Sequence, residues 1–321
     1  MSTPIPNTQY PISNLQPPIS NLQVVVLGGA AVDLVARVDA LPKKDSLVLA
    51  RSCEKFPGGS AANVAVGVAR LGYRVGFVGK LGDDENGQLL LRAFEDEGVD
   101  TQSLIVEPGQ ATATCFIGVD DHGDRIIFAL PGGSLIKDIG ELDLAYLRGS
   151  RVLYIGPSYI EVAAAAVAAA RERGATVFYA PGNAWGPNGP TSIHPILEQV
   201  DVLLVSRTEA VELTGLASPA EAALLLSEMG PQVIVETLGA QGAIVLAEGR
   251  LLEAPAFTVP QAQDTTGAGD AFAAGLIAGF LEGLGWEESA RMGCATAALK
   301  IGHIGARSGL PSRKEVAQFA G

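Results

Sequence analysis

The chain is short of positive charge. Its 321 residues carry 22 Lys and Arg against 35 Asp and Glu, a net charge of −13 with His neutral. That balance repels nucleic acid and anionic membrane surfaces, so neither is expected as a partner. Cysteine is scarce too: Cys53, Cys115 and Cys294 stand far apart, with no CxxC. Three scattered thiols point to a reducing compartment, the cytoplasm, and not to a disulfide framework. With only His122, His194 and His303 besides, a structural zinc site is not expected. No apolar run is long enough to span a bilayer; the Ala-rich stretch 162–170 stops at Arg171, Glu172 and Arg173. The N-terminus has neither the basic region nor the apolar region of a secretory signal. Two nucleotide motifs are also missing. There is no GxxxxGK followed by Ser or Thr, and no GxGxxG after the first apolar run, where Gly28 and Gly29 lead only to Ala30, Ala31, Val32 and Asp33.

What is present is apolar and small. Hydrophobic residues make up 48% of the chain, charged residues 18% and aromatics 6%, which suits helices packed closely on a parallel sheet. The length allows one large α/β domain, or a domain with a smaller appendage. Residues 1–23 read as an added tail, expected to be disordered. The hexapeptide PISNLQ at 11–16 recurs at 18–23, and Pro4, Pro6, Pro11, Pro17 and Pro18 oppose regular structure.

From residue 24 onward strands and helices alternate. Short apolar runs of buried-strand type fall at 24–27, 75–78, 152–155, 176–179, 202–205 and 233–235. Helical patterns at 61–71, 88–97 and 160–173 end at Gly72, Gly98 and Gly174, residues suited to the turn after a helix. The alternation predicts a mostly parallel sheet covered by helices. Two stretches, 34–56 and 112–130, look antiparallel instead, the second with a hairpin signal at 120–124. They suggest a small second sheet, either a lid over a site or an edge extension.

The most informative segment is 264–270, which reads DTTGAGD and runs into an apolar helix of small residues. Gly267, Ala268 and Gly269 let backbone come close to a ligand, and the following helix aims its first N–H groups there. Such a site suits the charge that develops on a transferring phosphoryl group. Asp270 at its mouth could accept the proton of an attacking hydroxyl, with the helix dipole and nearby N–H groups expected to keep it ionised. Read on chemistry alone, Asp270 could equally be a helix cap.

Two motifs together resemble the ribokinase-like (PfkB) carbohydrate kinases. Residues 264–270 resemble the family's second signature, and GGSAANVAVGVARLG at 58–72 resembles the first. GKLGDDENG at 79–87 matches the usual continuation. The likeness covers residue 24 to the C-terminus. It implies a doubly wound α/β core with a small β-sheet lid, so the odd stretches become lid strands from about 34–56 and 112–130 of a 24–321 kinase domain. It also implies transfer of the ATP γ-phosphate to a primary hydroxyl of a free sugar or sugar-like molecule. Asp270 would be the base and Gly267, Ala268 and Gly269 the anion hole.

Other roles follow from the same resemblance. Asp33, Gly58, Gly59 and Asn63 match acceptor-binding positions. Thr237, Gly239, Gly242 and Cys294 match the nucleotide side, although Cys294 stands where Asn is common. Glu209 matches a Glu that acts near Mg²⁺, largely through water; Ser206 replaces the usual Asn before it. Asp264 and Thr266 match positions that bind a monovalent cation in some members, while Gly309 in place of Ser weighs against potassium activation. Ser60 stands where ribose-specific members often carry Lys. A nucleoside acceptor, or a catalytically silent sugar or nucleotide sensor, remains an alternative. Apolar residues on both sides of the 112–130 hairpin would suit one face for substrate and the other for a second copy of the chain in a homodimer.

Overall fold

The computed structural model describes residues 21–122, 124–133, 135–182 and 189–321. The tail up to residue 20, and Gly123 of the hairpin signal, lie outside the described residues. Thirteen strands occur among them: β1 Val24–Leu27, β2 Ala31–Arg37, β3 Ser52–Gly58, β4 Val75–Gly82, β5 Leu104–Glu107, β6 Thr114–Val119, β7 Arg125–Leu130, β8 Val152–Ile155, β9 Thr176–Tyr179, β10 Val202–Ser206, β11 Val233–Thr237, β12 Gly242–Ala247 and β13 Arg250–Pro255. The α-helices are α1 Ser60–Arg70, α2 Glu85–Asp96, α3 Leu144–Leu147, α4 Ile160–Arg171, α5 His194–Leu197, α6 Arg207–Thr214, α7 Pro219–Glu228, α8 Ala268–Leu281, α9 Trp286–Lys300 and α10 Arg313–Ala320.

Nine strands form the main sheet in the order β13-β12-β11-β10-β9-β8-β1-β4-β5. All neighbours from β11 to β5 are parallel, and β12 and β13 add an antiparallel edge. The apolar runs are continuous because both faces are covered. In β1, Val24 and Val26 pack on one side with α1, α8 and α9, while Val25 and Leu27 pack on the other with α4 and α7. Chain order reverses between β1 and β8, and the crevice beyond the carboxyl ends of these strands is where open α/β sheets take ligands.

A second sheet, β3-β2-β6-β7, stands over that crevice. β2 pairs antiparallel with β3 and parallel with β6, and β6 and β7 form the hairpin read from sequence. The first lid strand starts at Ala31, earlier than expected, and residues 38–51 between β2 and β3 form no strand. Asp33 is therefore a residue of the lid strand itself. The fold also begins before residue 24. Leu22 is buried in the second core, and Gln23 exchanges backbone hydrogen bonds with the Arg74 and Val152 chains. No helix among the described residues is long and apolar enough to cross a membrane.

Candidate active site

The centre of the site is built where α1 and α8 meet beneath the lid. α8 begins at Gly267 (φ 78°) with no side-chain cap, so its first N–H groups stay available. Asp270 lies in the first turn and does not cap the helix. Its Oδ1 accepts from the Ser60 hydroxyl (2.6 Å) and its Oδ2 from the Asn63 amide nitrogen (2.8 Å). The two signatures thus converge on one carboxylate. Of the expected anion hole, the Ala268 N–H already donates to the Thr265 carbonyl (3.1 Å). The N–H groups of Gly267, Gly269 and Asp270 make no hydrogen bond among the described residues and are the ones left for an anion. Desolvation pushes the Asp270 carboxyl above its ordinary range, against the pull of Ser60, Asn63, Arg307 and Lys300. Burial thus acts against the helix dipole and N–H groups expected to favour its ionised form.

Arg307, which the sequence reading missed, ties the end of β3 to α1. Its Nε donates to Asn63 Oδ1 (2.8 Å) and its Nη2 to the Gly58 carbonyl (2.8 Å). Its guanidinium lies 5.4 Å from the centre of the Phe94 ring. Burial lowers its pKa to about 10, with Asp33 the largest charge acting the other way. Asn63 commits both ends of its amide to protein groups and is buried, which makes it a positioning residue for Asp270. Asp33 keeps 8% exposure, and its carboxyl is pushed up to about 6 by burial, with Arg307 and the Cys115 thiol pulling the other way. A Cβ at Gly58 would stand 2.3 Å from Asp33 Oδ2, so only glycine leaves room for that carboxylate. Gly59 holds φ 89° against the Ala30 backbone, a conformation and a closeness that L side chains reject.

Two cavities belong to this region, and Asp270 lines the smaller of them. One, of about 210 Å³, is lined by Ser60, Ser206, Glu209, Thr237, Gly269 and Asp270, among others. Here Ser206 serves as the α6 cap, accepting from the Glu209 N–H (3.3 Å), and Glu209 Oε2 accepts the Ser206 N–H (2.6 Å). The other, of about 500 Å³, lies under the lid and includes Asp33, Arg37, Arg125, Asp264 and Thr266. A larger hollow of about 690 Å³ opens at the opposite, amino ends of β9–β11, away from these residues.

The remaining candidates divide. Thr237 joins Glu209 and Asp270 at the smaller cavity. Gly239 and Gly242 shape the β11–β12 turn, where a Cβ on Gly242 would strike the Ala254 carbonyl at 2.1 Å. Cys294 is not at either cavity. It is buried in the core on α9, with its thiol 3.4 Å from the Ala254 carbonyl and its pKa raised to about 11 by burial. The proposed cation donors are already engaged. Asp264 accepts from the Thr266 and Gly305 N–H groups (2.8 Å each), its carbonyl accepts from Lys300 Nζ (2.8 Å), and Thr266 Oγ1 accepts from Arg125 (2.9 Å). With two protein cations on these atoms, the set does not fit a potassium ion. No group of three or more His, Cys, Asp or Glu suited to a metal exists among the described residues.

The pfkB family carbohydrate kinase model matches residues 21–313. An ATP-dependent ribose-1-phosphate kinase of Halopiger xanaduensis is 35% identical, covering 92% of this chain and 97% of its own. A fructokinase-1 of Oryza sativa is 32% identical, covering 91% and 96%. The structure of Arabidopsis thaliana ribokinase complexed with ribose and ATP superimposes with a TM-score of 0.83 at 25% identity, covering 94% and 99%. The chain belongs to the pfkB family of carbohydrate kinases.

Proposed function

For this member of the pfkB carbohydrate kinases, we propose that ATP donates its γ-phosphoryl group to a hydroxyl of a sugar-like acceptor, with Asp270 as general base. One observation carries the reading: the Asp270 carboxylate is held by Ser60 and Asn63 at the uncapped start of α8, on the wall of the smaller cavity. Asp33 faces the acceptor cavity and offers a carboxylate to vicinal hydroxyls. The acceptor hydroxyl gives its proton to Asp270, whose raised pKa brings the base nearer neutrality. The free N–H groups of Gly267, Gly269 and Asp270 face the phosphoryl oxygens, so positioning and electrostatics supply most of the acceleration.

Glu209 fits a Mg²⁺ role. One of its oxygens is fixed by the Ser206 N–H, and the carboxylate borders the cavity that also holds Thr237 and Asp270. A single carboxylate suits an ion that keeps much of its water and binds chiefly through nucleotide phosphates. When bound, the ion neutralises phosphate charge. On the lid's outer face, Leu34, Phe116 and Phe128 stand in one row across paired strands. Phe116 and Phe128 are 40% and 59% exposed, and a second copy of the chain is the proposed cover, which sedimentation at micromolar concentration tests. The activity itself is tested by ADP release from Mg·ATP with free sugars, sugar phosphates and nucleosides. Acceptor-dependent release that Asp270→Asn abolishes is expected. Near-normal turnover by that variant would overturn the assignment of the base.

A further inference from the structure

The underside of the lid has a chemical polarity along its strands. In β2 the residues lining the larger cavity are Asp33, Val35 and Arg37, two apart as a pleated strand requires. Pairing sets Arg37 beside Val119, and Val119 beside Arg125. Those three form one rung across the lid, and all three line the cavity. The rung before it is apolar, Val35, Ile117 and Ile127, and the one before that pairs Asp33 with Cys115. From the base end outward the surface reads acid, apolar, basic. Four steps along the strand take Asp33 to Arg37, about 13 Å at the usual rise. A free sugar ring held on Asp33 does not fill that length.

The two arginines have donors to spare. Arg37 is half-buried, and its guanidinium makes no hydrogen bond or ion pair among the described residues. Arg125 makes one bond, to Thr266 Oγ1, which leaves most of its N–H donors unused. Among the described residues, none of the acids lining the cavity forms an ion pair with them. Both Asp264 oxygens are taken by backbone N–H groups, and Asp124 is exposed at the rim with no ion pair to either arginine. In a chain of net charge −13, one unpartnered guanidinium and a second with donors to spare at one end of a cavity call for an anion. Guanidinium forks match phosphate oxygens in pairs.

We propose that the acceptor is itself a sugar phosphate, its hydroxyls on Asp33 and its phosphate on Arg37 and Arg125. This rests on the kinase reading above and deepens it. The acceptor oxygen forms a bond to the γ-phosphorus as the bridging bond to the β-phosphate breaks. The hydroxyl proton passes to Asp270, ADP leaves, and the product is a sugar bisphosphate.

The test compares ribose and fructose with their monophosphates, using the full chain, Mg·ATP and ADP release. At least one monophosphate is expected to exceed its free sugar by about a hundredfold in kcat/KM. Arg37→Met and Arg125→Met are each expected to raise KM for that monophosphate about tenfold, leaving KM for ATP within about twofold. Preference for a free sugar or a nucleoside would overturn the proposal while leaving the kinase reading intact. So would a rise in KM for ATP alone, which would assign the arginines to the nucleotide. Calorimetric titration with the same monophosphates separates the two ideas further. Binding that the arginine variants lose, without turnover in the parent, keeps the clamp and removes the base; absence of binding removes the clamp.

Discussion

The main sheet and the lid sheet are both built of short strands, yet they divide the work. In the main sheet both faces are buried, and the hydrogen-bonded group of Ser60, Asn63 and Asp270 sits on helices packed against it. In the lid neither face is closed: Phe128 is 59% exposed on one side and Ile127 52% on the other. The packed region holds the proposed base by two hydrogen bonds, while the open region carries the proposed recognition residues, Asp33, Arg37 and Arg125, on its lower surface. Placing chemistry on the densely packed part and specificity on the exposed part lets one change without unsettling the other.

Substitutions on the two sides should behave differently. The largest effect is expected from Asp270→Asn: kcat falls by at least about a hundredfold, with an unchanged urea unfolding curve. Arg307→Met comes next and attacks the packed side through stability. It leaves Asn63 Oδ1 and the Gly58 carbonyl unsatisfied and Asp33 without the cation that favours its ionised form, and should cost about 3–5 kcal/mol in urea denaturation. A loss under about 1 kcal/mol would mean that Arg307 does not hold this wall together.

The lid side is probed by pH. Asp33 ionises at about 6 in the folded chain, so acceptor kcat/KM should fall as pH drops below that value, approaching tenfold per unit. The sign follows from the carboxylate being the form that accepts two hydrogen bonds. Asp33→Asn should remove that limb and leave only the limb of Asp270. Ser60→Ala should act more mildly. Its hydroxyl stabilises the ionised Asp270, so its loss should move the acid limb of kcat upward and lower kcat by about tenfold or less. The smallest effect is expected for Cys294→Ala, with KM for ATP changed less than about twofold, because the thiol packs against β13 away from both cavities. A large rise there would restore Cys294 to the nucleotide side.

The sequence was most readable where physics was simplest. β1, β8 and β9 have the bounds their apolar runs suggest, because strands buried on both faces need uninterrupted hydrophobicity. Lid boundaries were less readable, since Ala31 to Asp33 alternate too weakly to mark a strand start. Leu22 and Gln23 were hidden inside a Pro- and Asn-rich repeat, and only the second core reveals that they belong to the fold. Motif spacing located Asp270, Gly58 and Asn63 but could not locate what joins them. Ser60 is 210 positions from Asp270, and Arg307 is 244 from Asn63. Neither separation leaves a periodic trace. A lone Arg in a Gly- and Ser-rich turn at 305–309 was the one available signal, because such a charge in an apolar surround needs partners. Cys294 differs in the other direction: a motif position suggested a ligand contact, while the structure places it in the core on a helix of small residues, outside both cavities.

Arg307 also constrains how this enzyme can change. One guanidinium ties the Gly58 carbonyl to Asn63, through Asn63 to Asp270, and balances Asp33. Substitutions at these positions are then not independent, and their effects should fail to add in double-mutant cycles. For evolution or engineering, this wall would be inherited as a block. New acceptor preferences would be reached more readily by rewriting the far rung of the lid, where Arg37 and Arg125 stand clear of that network.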